Sequence, residues 1–175
     1  MDFAAVQKLD VCSLLKAEEV AAVQGSPVRQ TKSSTLADGK FLIRQCFYET
    51  VDFNQSVNLT LTVPDPNAST QLSPAAFWKE KFAPYQTGAV AREAGEKSRE
   101  PRGEEEGERR DPPKKIEGIG DEAFWMGPDA LYVLRGDVYL RVSLGGADSA
   151  ETKIKKAITL MKPAVARLSS SGSLP

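Results

Sequence analysis

Between residues 56 and 63 the chain reads Ser-Val-Asn-Leu-Thr-Leu-Thr-Val, an unbroken alternation with Val57, Leu59, Leu61 and Val63 on one side and Ser56, Asn58, Thr60 and Thr62 on the other. A period of two predicts a half-buried antiparallel strand. The same alternation flanks Gly136-Asp137, with Leu131 and Val133 before the pair and Val138, Leu140 and Val142 after it. A Gly-Asp pair between such runs predicts a two-residue hairpin. In that register Arg135 faces Val138, Val133 faces Leu140 and Leu131 faces Val142. Residues 40–49, rich in aromatic and branched side chains, predict a further strand.

Three segments carry helical spacing. Residues 13–24 predict a short helix opening near Ser13 or Lys16 and closing at Gly25, with Pro27 beyond the stop. Ser73-Pro74 supplies a cap followed by proline at the first helical position, and Phe77, Phe82 and Tyr85 give the following helix its apolar side. The clearest helix runs from about Ser149 to Leu168. There Ile154, Ile158, Met161, Val165 and Leu168 form one stripe, Lys153, Lys155, Lys156 and Lys162 face solvent, and Pro163 is expected to kink or restart the helix.

This order predicts a single α+β domain over residues 1–168, an antiparallel sheet with helices packed on one face. It also suggests two loosely similar halves, each a helix followed by about three strands. Residues 92–115 interrupt the pattern. Sixteen of these 24 residues are charged, eight of each sign. Such a segment has too little apolar surface to offset its ordering entropy, so a solvated, mobile loop is expected there. Residues 169–175, Ser-Ser-Ser-Gly-Ser-Leu-Pro, are expected to form a flexible tail.

Composition narrows the function classes. The 23 Lys and Arg balance 24 Asp and Glu, a net charge of −1, so no overall field favours nucleic acid as a partner. No apolar run approaches the roughly 18 residues of a transmembrane helix, and the first 30 residues lack the pattern of a secretion signal. Taken literally, the chain starts in the cytosol. Histidine is absent, which removes His-dependent triads and imidazole metal ligands; two cysteines without histidine build no structural zinc site. No cofactor is expected. Cys12 and Cys46 are either the single disulfide of an exported domain, with Met1 standing where a leader was removed, or two buried thiols.

Local motifs reduce to backbone roles. Ser13-Leu14-Leu15-Lys16 matches the S-x-x-K of penicillin-recognising serine enzymes, without their companion elements. Gly118-Ile119-Gly120 and Gly95-Glu96-Lys97-Ser98 lack the context of phosphate-binding loops. Arg135-Gly136-Asp137 is the tripeptide read by integrins, but turn chemistry alone asks for Gly and Asp there. Sequons occur at Asn54, Asn58 and Asn67, the second within a predicted strand. Asp121 and Glu122 could be drafted as an acid and base pair, yet neighbours on an extended chain point to opposite faces. No catalytic residue is assigned.

The hairpin register yields a candidate binding surface. With the core face assigned, Tyr132, Leu134, Tyr139 and Arg141 share the opposite face, and Tyr132 lies directly across from Arg141. If helices cover only one side of the sheet, this aromatic and cationic patch is exposed, and Tyr and Arg are enriched at binding hot spots.

The segments Asp10-Val-Cys-Ser-Leu-Leu-Lys-Ala-Glu-Glu-Val20, Arg44-Gln-Cys-Phe-Tyr48 and Gly118-Ile-Gly-Asp-Glu-Ala-Phe-Trp125, followed by a hairpin and an amphipathic helix, resemble uncharacterised bacterial secreted proteins and lipoproteins. The resemblance implies an envelope location, periplasmic or cell-surface, and a Cys12 to Cys46 bridge. It implies no catalytic residue. Lys16 departs from the Thr or Ser common at that position, and the charged insertion is particular to this chain. The expectation is therefore a non-enzymatic exported domain that binds a protein, a lipid or another envelope component. The alternatives are a small carboxylate-dependent hydrolase or transferase and an intracellular, cytoplasmic interaction protein with reduced thiols.

Overall fold

The computed structural model describes residues 6, 8–69, 72–86 and 111–171. Its elements, in chain order, are helix α1 (Ala17–Gln24), strands β1 (Val28–Ala37), β2 (Phe41–Thr50) and β3 (Val57–Pro64), helix α2 (Pro74–Phe82), strands β4 (Lys114–Lys115), β5 (Glu122–Met126), β6 (Ala130–Arg135) and β7 (Val138–Leu144), and helix α3 (Ala150–Ser171). The seven strands form one antiparallel sheet in the order β1-β2-β3-β7-β6-β5-β4, giving an α+β fold. Two meanders, β1 to β3 and β5 to β7, meet where β3 pairs with β7, Leu59 opposite Val142 and Leu61 opposite Leu140.

The predicted hairpin is present in the predicted register, Arg135 with Val138, Val133 with Leu140 and Leu131 with Val142. Gly136 takes the left-handed conformation that its turn requires, with φ 60°. Strand β3 differs from expectation in one respect. Val57, Leu59, Leu61 and Val63 are buried as predicted, but Thr60 and Thr62 on the other face are buried too. Because β3 is central, both of its faces are packed.

Helices α1 and α3 share one face of the sheet. There Leu14, Leu15 and Val20 from the N-terminal segment and Ala157, Leu160, Met161, Ala164 and Leu168 from α3 meet the apolar faces of β2, β3, β5, β6 and β7. The deeply buried stripe of α3 is rotated from the one read by spacing: Ile154, Ile158 and Val165 are only partly buried. Helix α2 lies on the opposite face, so the single-sided arrangement holds for α1 and α3 and not for α2. Phe124 and Leu134 project there, alternating with Ala123 and Val133 of the main core, and Trp78 and Phe82 cover them.

Helix α1 begins at Ala17, after a separate 3-10 turn at Val11–Ser13 whose Cys12 N–H is capped by Asp10. The Glu19 carboxylate accepts from the Lys16 N–H at 2.8 Å, which supplies the cap that the Lys16 side chain does not. Gly25 closes the helix at φ 73°. The sulfurs of Cys12 and Cys46 lie 2.05 Å apart, at disulfide bonding distance. Beside them the buried Tyr48 hydroxyl donates to the Leu15 carbonyl at 2.7 Å, so the N-terminal segment is held on β2 by both contacts.

Two boundaries move. Within the predicted loop 92–115, residues 92–110 lie outside the described residues, whereas Lys114 and Lys115 form β4 opposite Trp125 and Phe124. Helix α3 runs on through the serines of the predicted tail to Ser171; residues 172–175 lie outside the described residues. The Ser169 and Ser170 hydroxyls donate to the Val165 and Ala166 carbonyls, and Ser169 also accepts from Arg135. Ser169 and Ser170, which read as flexible by composition, are thus tied into the helix, and Ser169 also to the hairpin.

Candidate functional site

The arrangement on the α2 face begins at the hairpin tip. Ser73 caps α2 through its Oγ, which accepts from the Ala76 N–H. The Asp137 carboxylate accepts from the Ser73 hydroxyl and, at 2.9 Å, from the Ala75 N–H. An anion at a helix N-terminus meets unpaired N–H groups and the positive end of the helix dipole, so Asp137 docks α2 onto the sheet. Trp78, one turn on, donates its indole N–H to Glu122 at 2.8 Å, and Gln86 donates to the same oxygen.

Between these anchors lies an aromatic layer. Phe82 stacks parallel on Phe124 with centroids 4.5 Å apart, Trp78 packs against Phe82 at 4.4 Å and Tyr139 at 5.9 Å, and Phe77 meets Phe41 edge-on. Tyr132 stands beside Tyr139 at the margin of this layer. Two cations gather on its ring. The Lys81 Nζ is 5.0 Å from the Tyr132 centroid and the Arg141 Cζ is 5.6 Å from it, both within cation–π range. Arg141 also donates to the Tyr132 hydroxyl at 3.1 Å and to Ser143 Oγ at 3.3 Å. Among the described residues, no carboxylate lies within ion-pair distance of Lys81 or Arg141. Partial desolvation beside the aromatic rings lowers the Lys81 pKa, although the residue remains at the surface, and the Arg141 charge lowers it further.

Lys81 also reaches the wall of a cleft of about 260 Å³. Phe82, Tyr85, Pro112, Pro113 and Met126 form its apolar lining, with Asp111 as the second charged group. Chemically, the cleft and the Lys81–Tyr132–Arg141 cluster can hold an apolar group next to an anion.

The four residues of the expected surface therefore meet different fates. Tyr132, Tyr139 and Arg141 are half-buried neighbours, while Leu134 is buried under α2. The patch is not an open sheet face, because an aromatic helix covers its apolar part. Sequence reasoning missed Lys81 and Trp78; the aromatic density of residues 77–85 was the available signal. Asp121 and Glu122 do point apart. Asp121 accepts from Arg135 at 2.8 Å and from the Gly136 N–H at 2.6 Å, and Glu122 is taken by Trp78 and Gln86. The Arg135-Gly136-Asp137 tripeptide has both charged side chains engaged within the fold.

Among the described residues, no group of three or more metal-ligating side chains is present, and no helix is long and apolar enough to cross a membrane. Comparison with protein-family models, with curated proteins and with solved structures gave no match.

Proposed function

We propose that this chain is a non-enzymatic exported domain that binds a component of the cell envelope through the α2 face of its sheet. Export is supported by the Cys12–Cys46 pair at bonding distance, since disulfides persist where thiols are not kept reduced. The resemblance to secreted and lipoprotein sequences points the same way.

Binding is supported by one observation above the rest: Lys81 and Arg141 converge on Tyr132 beside an apolar cleft, with no carboxylate partner among the described residues. Two like charges beside one ring repel each other, and an anionic partner close to either lowers that penalty.

Two measurements test the reading. Mass determination before and after reduction, on protein from its native compartment, should find the pair bonded; two free thiols there would overturn export. Retention of the labelled domain on the envelope fraction of its source cell should fall for Arg141→Ala with the fold intact. Equal retention of the two proteins would remove this face as the binding surface.

A further inference from the structure

The cleft is small. Its volume of about 260 Å³ lies just below the roughly 300–1,000 Å³ of ordinary small-molecule sites, so it admits a single ring or one alkyl chain. Among the described residues, its lining is apolar apart from two groups of opposite sign, Lys81 and Asp111. Lys81 lines the cleft and shares the Tyr132 ring with Arg141, so the second cation stands one aromatic ring away from the lining. Asp111 disfavours an anion at its own part of the wall, which leaves Lys81 as the lining group that attracts one.

We propose that the cleft takes a small anionic amphiphile, its apolar part against Phe82, Tyr85 and Met126 and its carboxylate or phosphate head held by Lys81 and Arg141. This rests on the binding reading above and names the class of ligand. Both cations offer charge-assisted hydrogen bonds, Lys81 from its ammonium and Arg141 from its planar guanidinium, and a tetrahedral phosphate or a planar carboxylate can accept from both. Two cations on a chain of net charge −1 do not make the extended basic track that a nucleic acid requires.

Titration calorimetry on the full chain separates the contributions. The probes are decyl phosphate and decanoate below micelle formation, with inorganic phosphate as the head alone, decanol as the tail alone and decyltrimethylammonium as the opposite charge. Decyl phosphate or decanoate should bind, more weakly as salt rises, and the three controls should bind at least tenfold more weakly. Lys81→Ala and Arg141→Ala should each weaken the anionic probe about tenfold. Lys81→Arg should keep most of the affinity, and Lys162→Ala, on the solvent side of α3, should change nothing. The Lys81 side chain is exposed, so Lys81→Ala tests the head site even if Arg141→Ala melts early.

Equal binding of decyltrimethylammonium would overturn the anionic head. Equal binding of inorganic phosphate would overturn the amphiphile. Absence of binding by both anionic amphiphiles would overturn the ligand class altogether. If Arg141-dependent retention on the envelope fraction survived that last result, the binding face would stand with a different ligand; if it too were lost, both proposals would fall.

Discussion

Arg167 of α3 grips Glu19 of α1 with both arms of its guanidinium, Nη1 to Oε2 and Nη2 to Oε1, each at 2.7 Å, while Nη1 also donates to the Leu14 carbonyl at 2.9 Å. The same Glu19 oxygen caps α1 at Lys16. One carboxylate therefore closes the start of the first helix and fastens it to the last. The Arg167 hydrogen bonds hold the Glu19 carboxyl below the usual glutamate range, against the opposing effect of burial.

A depressed folded-state pKa means that Glu19 contributes its full stability above the ordinary glutamate pKa and loses it as pH falls through the folded value. Glu19→Gln should lower stability at neutral pH by about 1 kcal/mol, a figure kept small because the pair is partly solvated. The difference between the two proteins should shrink below pH 4 in denaturant titrations. A constant difference down to pH 2 would mean that the ion pair is not its source.

Asp137 is the tertiary cap of α2, so Asp137→Ala should remove its bonds to Ser73 and Ala75 while leaving the two-residue turn intact. A loss of about 1–2 kcal/mol is expected from chemical denaturation. Asp137→Asn should recover part of it, since the amide oxygen still accepts. Trp78 emission should shift if α2 loosens, and an unchanged spectrum with unchanged stability would show that α2 docks without this contact.

Cys46→Ser opens a covalent loop with a sequence separation of 34 residues. Loop-closure entropy of that size corresponds to about 3–4 kcal/mol, or roughly 10 °C in Tm for a chain of this length. Thermal melts with and without reductant should reproduce the same drop in the parent protein. A Tm that reductant leaves untouched would exclude the bridge in solution.

Gly120 is required by space as well as conformation. At φ 62° an added Cβ would lie 2.3 Å from Val133 Cγ1 and 2.5 Å from the Leu134 carbonyl oxygen. Gly120→Ala should therefore cost more than about 2 kcal/mol, because the obstacle includes backbone. Gly127→Ala, where φ is also positive but no atom lies within 4 Å, should cost only about 1 kcal/mol. Equal effects in denaturant melts would mean that conformation alone matters at Gly120.

Removal of residues 92–110 with a short glycine-serine bridge should leave a cooperative melt, because that stretch has almost no apolar side chains with which to bury surface. Loss of cooperativity would mean that it contributes to the fold.

Local pattern determined a large part of this protein. The alternation at 56–63, the Gly136-Asp137 pair and the Gly25 stop each depend on backbone preferences acting over a few residues, and they led directly to β3, to the hairpin register and to the end of α1. That register in turn put Tyr132 across from Arg141. Only the tertiary structure decided which face α2 would cover, because Leu134 is an apolar position on the side that the alternation marks as outer, Phe124 joins it there through its pairing with Tyr132, and apolar side chains on that side demand a cover from elsewhere in the chain. It also decided that Asp137 caps a helix more than 60 residues away and that Glu19 meets Arg167. Lys81 joined the candidate site by the same route. Contacts between distant segments follow from how layers stack and which unpaired groups they bring together, and no period or motif within either segment records the other.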